Sequence, residues 1–316
     1  MSVAEVSLPK VSEKTQVFHH ILAATDFSQH SRRALAVAFA LAQKNEARLS
    51  VAHVLPPDWR YDILDTPPET DLAQRDCEQR LEAFTAEFHA NAPALDSILI
   101  KHGPVVPGVL STIAEAGVDL LVMGTHGRHG LAKLAMGSVA EELVRRSPCP
   151  VLTIGPKARI EAGPHLRTIL FATDFGKGSS NALPLALGLA RLTHAKLILL
   201  HMIAPMPASS NLSAYGPASS VADEITNWEA SSRKHAVEQL ERCLPTKTGL
   251  DCPPQYLVGM EMLPEGILTA AERFDADLIV MGANQNGSPH MAAHIPWTAV
   301  HEVLRNAPCP VLTVAG

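Results

Sequence analysis

The chain has 316 residues, 47% of them hydrophobic and 18% charged, which is enough apolar material to bury the cores of two domains of ordinary size. Its net charge is −6, with Lys and Arg scattered along the chain, and this argues against nucleic acid, which calls for a basic face. No apolar run reaches membrane-spanning length, and five cysteines without a C-x-x-C pair fit reduced thiols in a cytoplasm.

Residues 1–17 lack the apolar core of a secretory signal and read as a mobile polar tail. Residues 18–24 form a short apolar strand that runs into the turn Thr25-Asp26-Phe27-Ser28. Ser31 is placed to cap a helix whose Ala34, Leu35, Ala38, Leu41 and Ala42 make one apolar stripe. Residues 49–54 form a second strand ending in His53-Val54, and a Pro-rich loop over 55–68 leads to a helix with Cys77, Leu81, Phe84 and Phe88 on one face. A strand at 97–101, a helix at 105–116 and an apolar strand at 119–123 follow. Gly124-Thr125-His126-Gly127 comes next, and nine residues later Gly137-Ser138 opens a helix that runs to 146, before a last strand at 151–154.

The order then repeats. The segment ILAATDF at Ile21 returns as ILFATDF at Ile169, a shift of 148 residues, and His53 returns as His201. The strand ending at Gly124 returns ending at Gly282, and the Pro-Cys-Pro context of Cys149 returns around Cys309, where the shift has grown to 160. Agreement in this many places means duplication of a whole domain, giving domains at 18–155 and 167–316 joined by a Pro- and Gly-bearing linker at 156–166. A stretch at 205–220 rich in Pro, Ser and Ala reads as a mobile loop of the second half. Strands that are apolar without alternation are buried on both faces, so the fold class is α/β with parallel sheets flanked by helices.

Ligands of open parallel sheets bind beyond the carboxyl ends of the strands, and three pieces of the first half fall there: Ala24-Thr25-Asp26, His53-Val54, and Gly124 to Ser138. Gly124 and Gly127 allow close backbone approach. Gly137-Ser138 opens a helix whose free N–H groups and dipole favour an anion, with the Ser138 hydroxyl as a further donor. Asp26 has the chemistry to accept from a ribose, and Arg128 and Lys133 bring positive charge. Each piece also has a plainer reading: a helix cap for Gly137-Ser138 and for Asp26, and solvated loop residues for His126 and His129.

The spacing G-x-x-G, nine residues, G-[S/T] is matched at every fixed position by Gly124, Gly127, Gly137 and Ser138, alongside the T-D-F-S turn and the His-Val strand end. In these features the chain resembles a tandem universal stress protein over nearly all of 18–316. The resemblance implies two Rossmann-like domains of the adenine nucleotide alpha hydrolase-like kind, each a five-stranded parallel sheet in the order 3-2-1-4-5. It implies ATP, with Mg2+ or Mn2+, held as a regulatory ligand in a stress response, together with an unidentified protein partner and no catalytic residues. Adenine would lie against the Asp26 turn and the backbone near Val54, ribose by Gly124, and phosphates on Gly127, Gly137 and Ser138. Ala24, Thr25, Met123, Thr125, His126, Arg128 and Val139 complete the expected nucleotide contacts. Position 24 is Ala where many ATP-binding members carry Pro. The resemblance further implies that strands 151–154 and 311–314, which would otherwise leave exposed edges, pair antiparallel and make the chain an internal dimer. A homodimer of whole chains stays open.

The second copy departs where the phosphates would sit. Gly282-Ala283-Asn284-Gln285 is followed after nine residues by Ile295-Pro296. Gln285 replaces a glycine, Ile295 blocks close approach, Pro296 removes a hydroxyl and a main-chain donor, and no Lys or Arg occurs between 283 and 304. These losses argue against triphosphate in this half. Asp174, Met202 and Gly282 keep an adenine-side frame that leaves a nucleoside open, and His290, His294 and His301 invite a metal reading that no neighbouring carboxylate or thiolate completes. Two alternatives to a nucleotide-regulated protein are a slow ATP hydrolase and a nucleotide-free interaction module. Against the hydrolase stands the lack of a G-x-x-x-x-G-K-[S/T] loop.

Overall fold

The computed structural model describes residues 16–56, 70–88, 95–127, 136–160, 166–203, 218–283 and 295–316. The first half runs β1 (His20–Ala24), α1 (Gln29–Asn45), β2 (Arg48–Leu55), α2 (Thr70–Ala86), β3 (Leu95–His102), α3 (Val105–Ala116), β4 (Leu120–Gly124), α4 (Ser138–Arg146), β5 (Val151–Ile154). The second runs β6 (Thr168–Thr173), α5 (Lys177–Thr193), β7 (Lys196–Met202), α6 (Ala218–Cys243), β8 (Gln255–Gly259), α7 (Glu265–Arg273), β9 (Leu278–Ala283), α8 (Trp297–Asn306), β10 (Val311–Ala315). Most of the expected tail, the loop over 55–68, part of the linker and most of the stretch 205–220 lie outside the described residues, as do Arg128, His129, Lys133, Gln285, His290 and His294. None of the helices among the described residues is long and apolar enough to cross a membrane.

All ten strands join one sheet in the order β3-β2-β1-β4-β5-β10-β9-β6-β7-β8. Each half therefore has the strand order 3-2-1-4-5, parallel throughout, and the halves meet antiparallel at β5 and β10. Within β4, Leu120 and Val122 face one core while Leu121 and Met123 face the other. A strand has period 2, so burial of both faces is what removes polar alternation from its sequence. One face is covered by α1, α2, α5 and α6, the other by α3, α4, α7 and α8.

Helix α1 begins earlier than its sequence suggests. Ser28, not Ser31, is the cap, its Oγ accepting from Ser31 N at 3.1 Å. The reason lies in the preceding turn, where Phe27 adopts φ 64° and Asp26 Oδ1 accepts from Ser28 N at 3.0 Å, so the chain is already folded back at Ser28. The last residues of the expected tail are held rather than loose. Val17 N donates to Asn45 Oδ1 at 3.2 Å, and the Val17 side chain packs on α5 at Gly188, where a Cβ would approach it to 3.0 Å.

The seam between the halves is a local two-fold. Leu152 pairs with Leu312 at its centre. On either side Thr153 Oγ1 donates to Val311 O and Thr313 Oγ1 to Val151 O, both at 3.2 Å. The operation relates residues 160 apart, as 151 and 311. The linker is clamped to the first half by Arg33, whose guanidinium donates to the carbonyls of Gly155, Pro156 and Ala158.

Candidate functional site

The site of the first half begins at the carboxyl end of β1. Thr25 is buried; its N donates to Ala52 O at 2.9 Å, fixing it to β2. Its Oγ1 accepts from Phe27 N and donates to Ser31 Oγ, both at 3.0 Å. His53 Nδ1 lies 2.7 Å from Thr25 O. A positive φ is costly for an aromatic residue, and at Phe27 packing compensates. The ring lies 4.6 Å from His53 and 5.6 Å from Phe84, with the Arg80 guanidinium 4.5 Å above it. The outcome is a rigid turn that presents Asp26 at the strand end.

The glycine segment arrives against that carboxylate. A Cβ built on Gly127 would sit 2.8 Å from Asp26 Oδ2, and one on Gly124 3.1 Å from the backbone carbon of His30. The lack of side chains at Gly124 and Gly127 eases this close approach, and the fold brings Asp26, Gly124 and Gly127 together at the switch point between β1 and β4. Thr125 N donates to Ile154 O at 3.1 Å, and Gly137 N donates to Thr125 O at 2.9 Å, closing the loop on itself. Gly137 is the N-cap of α4 and no side chain caps this helix, so its first N–H groups carry the helix dipole with no side-chain acceptor over them. Ser138 and Val139 are exposed beside it. Val54 and Met123 bury their side chains in the core and have only backbone to offer a ligand.

His126 is not the solvated loop residue that a histidine between glycines suggests. It is 9% exposed, with Nδ1 2.9 Å from Thr125 Oγ1 and its ring centroid 5.5 Å from that of His30. Among the described residues, its Nε2 and the Nδ1 of His30 are buried without a hydrogen-bond partner. Burial, then the neighbouring His30 and Arg305, push the His126 imidazole below its ordinary value, which favours the neutral form. Nothing in the local sequence signals this, because the ring that lies against it, His30, comes from α1.

The second half repeats the turn and engages its carboxylate. Phe175 sits at φ 59° with N donating to Thr173 Oγ1 at 3.0 Å, and His201 Nδ1 lies 2.9 Å from Thr173 O. Asp174, however, accepts from Ser179 Oγ at 2.6 Å, Gly176 N at 2.8 Å and Ile295 N at 2.9 Å. A Cβ on Gly282 would fall 2.4 Å from the backbone of Gly178 and Ser179, so the start of α5 presses directly on the glycine. The Met202 thioether lies against Gly259, 2.6 Å from where its Cβ would stand. Within the expected adenine-side frame Asp174 is thus engaged by the protein's own groups, while Gly282 and Met202 pack as Gly124 does on His30 and Val54 on Gly108, Gly282 more tightly.

Helix α8 also corrects the residue count across the damaged loop. Val300, Val303 and Leu304 are buried as Ala140, Leu143 and Val144 are in α4, a shift of 160. At that shift Trp297 and Thr298 stand opposite Gly137 and Ser138, although the N-caps themselves are Gly137 and Pro296, because α8 is one residue longer at its start. Trp297 Nε1 donates to Glu141 Oε1 at 3.3 Å, and the Arg145 guanidinium lies 5.2 Å over the indole. Among the described residues no group of three His, Cys, Asp or Glu is placed to hold a metal ion. A cavity of about 1080 Å3 lies between α1 and α5 over Leu152 and Leu312, and none of the expected nucleotide contacts is among its described lining residues.

The sequence profile of the Universal stress protein family matches residues 18–155 and again residues 165–315. The chain belongs to the universal stress protein family. A universal stress protein of Thermus aquaticus, encoded in the QAH/OAS sulfhydrylase 3'region, is 38% identical over 140 residues, which is 44% of this chain and 99% of that protein. Universal stress protein A homolog 1 of Coxiella burnetii is 32% identical over 142 residues, 44% of this chain and 98% of its own length. These relatives have the length of one universal stress domain. The crystal structure of a universal stress protein from Archaeoglobus fulgidus matches across both halves, with a TM-score of 0.63 at 18% identity, covering 94% of this chain and 98% of that one. That likeness shows the tandem fold.

Proposed function

We propose that this universal stress protein binds ATP with Mg2+ or Mn2+ in its first domain, and that the nucleotide is a regulatory ligand which alters recognition of a protein partner in the cytoplasm. One contrast carries the reading. Gly127 passes Asp26 so closely that a Cβ would stand 2.8 Å from the carboxylate, beside a helix start that no side chain caps. In the second domain the main chain that meets the equivalent carboxylate is Ile295, whose N donates to it at 2.9 Å.

In this reading Asp26 takes the ribose or adenine edge, with the backbone of Ala24, Thr25 and Val54 around the base and Met123, Gly124 and Thr125 along the ribose. Gly127, Arg128, Gly137, Ser138 and Val139 receive the phosphates, since main-chain N–H groups at a helix start favour anions. The divalent cation offsets the remaining phosphate charge. His126 is a poor general base: its Nδ1 is engaged by Thr125, and among the described residues no carboxylate orients it. Turnover is therefore slow or absent, and the hydrolase reading is secondary.

The test is thermal melting of the full chain with ATP and with a non-hydrolysable analogue, each with Mg2+. At about 100 times its Kd a ligand stabilises by roughly 2.7 kcal/mol, so both should raise Tm equally and Gly137→Ile should remove the rise. Absence of any shift with either ligand would refute ATP binding. Multiple-turnover hydrolysis that His126→Ala abolishes without weakening binding would move the protein to the enzyme class.

A further inference from the structure

We infer that Arg305, carried on α8 of the second domain, completes the phosphate subsite of the first domain, so that the duplicated chain holds one composite site. The inference rests on the nucleotide reading above and adds a binding residue to it from the opposite domain.

The two-fold that exchanges the Thr153 and Thr313 hydrogen bonds also relates α4 to α8. Ser147 N ends α4 on Leu143 O at 2.9 Å, and Ala307 N ends α8 on Val303 O at 2.8 Å. At this shift Gly137 corresponds to Trp297, Glu141 to His301 and Arg145 to Arg305. In one direction across the seam the Trp297 indole lies on Glu141 and Arg145. In the other direction its counterpart is Gly137, which has no side chain, and the groups facing it are His301 and Arg305. By the two-fold, the space that the indole fills on one side of the seam corresponds, on the other, to a space between Arg305 and the start of α4.

Contacts at the other end of α8 place Arg305 independently. A Cβ on Gly155 would lie 3.0 Å from Leu304 O and 3.9 Å from Arg305 O. Gly155 directly follows Ile154, whose carbonyl holds Thr125 N. Lys157 Nζ donates to Asn306 Oδ1 at 2.9 Å, tying the end of α8 to the linker. The charge of Arg305 accordingly reaches His126 within the glycine segment.

The guanidinium has donors to spare. Arg305 offers five N–H groups in a planar fork, and among the described residues its side-chain contact is one Nη1 to Glu302 Oε1 at 3.3 Å, with the side chain 27% exposed. A fork of this kind pairs with two phosphate oxygens at once. The relation is not reciprocal, because Arg145 already lies over the Trp297 ring. The second domain has then exchanged its own site for the supply of a cation to its neighbour.

The experiment is calorimetric titration of the full chain, wild type, Arg305→Ala, Arg305→Lys and Arg145→Ala, with Mg·ATP and with adenosine. Loss of charge-assisted bonds to phosphate should weaken ATP by about tenfold or more in Arg305→Ala, with Arg305→Lys recovering part of it. Adenosine affinity should be unchanged in every variant, and Arg145→Ala should bind ATP as the wild type does. Equal ATP affinity in Arg305→Ala and wild type overturns the inference and leaves the nucleotide reading standing. Equal loss of ATP and adenosine in Arg305→Ala also overturns it, since the substitution would then act through the fold. A wild type that binds no ATP removes both.

Discussion

Replacing Gly282 by Ala isolates the closure of the second site. The new Cβ would stand 2.4 Å from Gly178 C and 2.4 Å from Ser179 N, about 1 Å inside an ordinary van der Waals contact. Both opposing atoms are main chain at the start of α5, so no rotamer change relieves the overlap, and α5 must lift from β9. Overpacking of this kind costs about 1–3 kcal/mol, and a backbone-against-backbone clash belongs at the upper end. The equivalent change in the first domain, Gly124→Ala, meets His30 at 3.1 Å, which needs a shift of only a few tenths of an ångström and should cost about 1 kcal/mol. For domains of this size each kcal/mol lowers Tm by roughly 2–4 °C. Calorimetric melting should therefore show Gly282→Ala lowered by about 6–12 °C and Gly124→Ala by about 2–4 °C. If Gly282→Ala melts with the wild type, or if the two substitutions reverse in order, the second domain is not closed by this contact.

Acidification should destabilise the fold through two imidazoles. Burial, followed by His30 and Arg305, lowers the His126 value. Burial also lowers that of His201, against the raising effects of the Thr173 carbonyl and Asp174. Unfolded histidine takes its proton near about 6.5 and the folded groups take theirs only at lower pH. Between those values the unfolded state binds more protons and stability falls as pH falls. Urea unfolding from pH 7.5 to 5.5 should show this slope, reduced in His126→Gln; an identical slope in that variant would refute the role of His126. Cysteine chemistry should be confined to the exposed Cys252, because burial pushes the Cys309 thiol up to about 12 and raises those of Cys149 and Cys243. The antiparallel register that pairs Val311 with Thr153 separates Cys149 from Cys309 along the seam by about 20 Å at the strand rise, so native oxidation should yield no bond between them. A Cys149–Cys309 disulfide formed without unfolding would contradict that register.

The duplication, the α/β class and the extent of most elements are legible in the sequence, because buried parallel strands and helix stripes leave direct apolar patterns such as Leu120–Met123 and Ala34–Ala42. The strand order and the meeting of the halves followed from the family resemblance, and β5 and β10 pair as it implies. Ser28 rather than Ser31 begins α1 because Phe27 takes a positive φ that an aromatic residue rarely advertises. Counting nine residues on from Gln285 misplaces the start of α8, since the segment before its N-cap Pro296 is one residue longer and the helix itself is one residue longer while its interior keeps the burial pattern. The burial of His126 and the reach of Trp297 and Arg305 depend on contacts between segments more than 90 residues apart, where no local spacing rule applies. Asp174 is the subtler case. Its T-D-F context matches that of Asp26, and no local spacing announces that Ser179 and Ile295 donate to its oxygens.

The central claim is one open nucleotide site and one closed site in a single chain, and calorimetric titration of the full-length protein, freed of any bound nucleotide, with Mg·ATP reads it directly. The account requires a stoichiometry of about one ATP per chain, lost in Gly137→Ile and unaffected by Thr298→Ala. Two equivalent sites, or one site that survives Gly137→Ile, would contradict it.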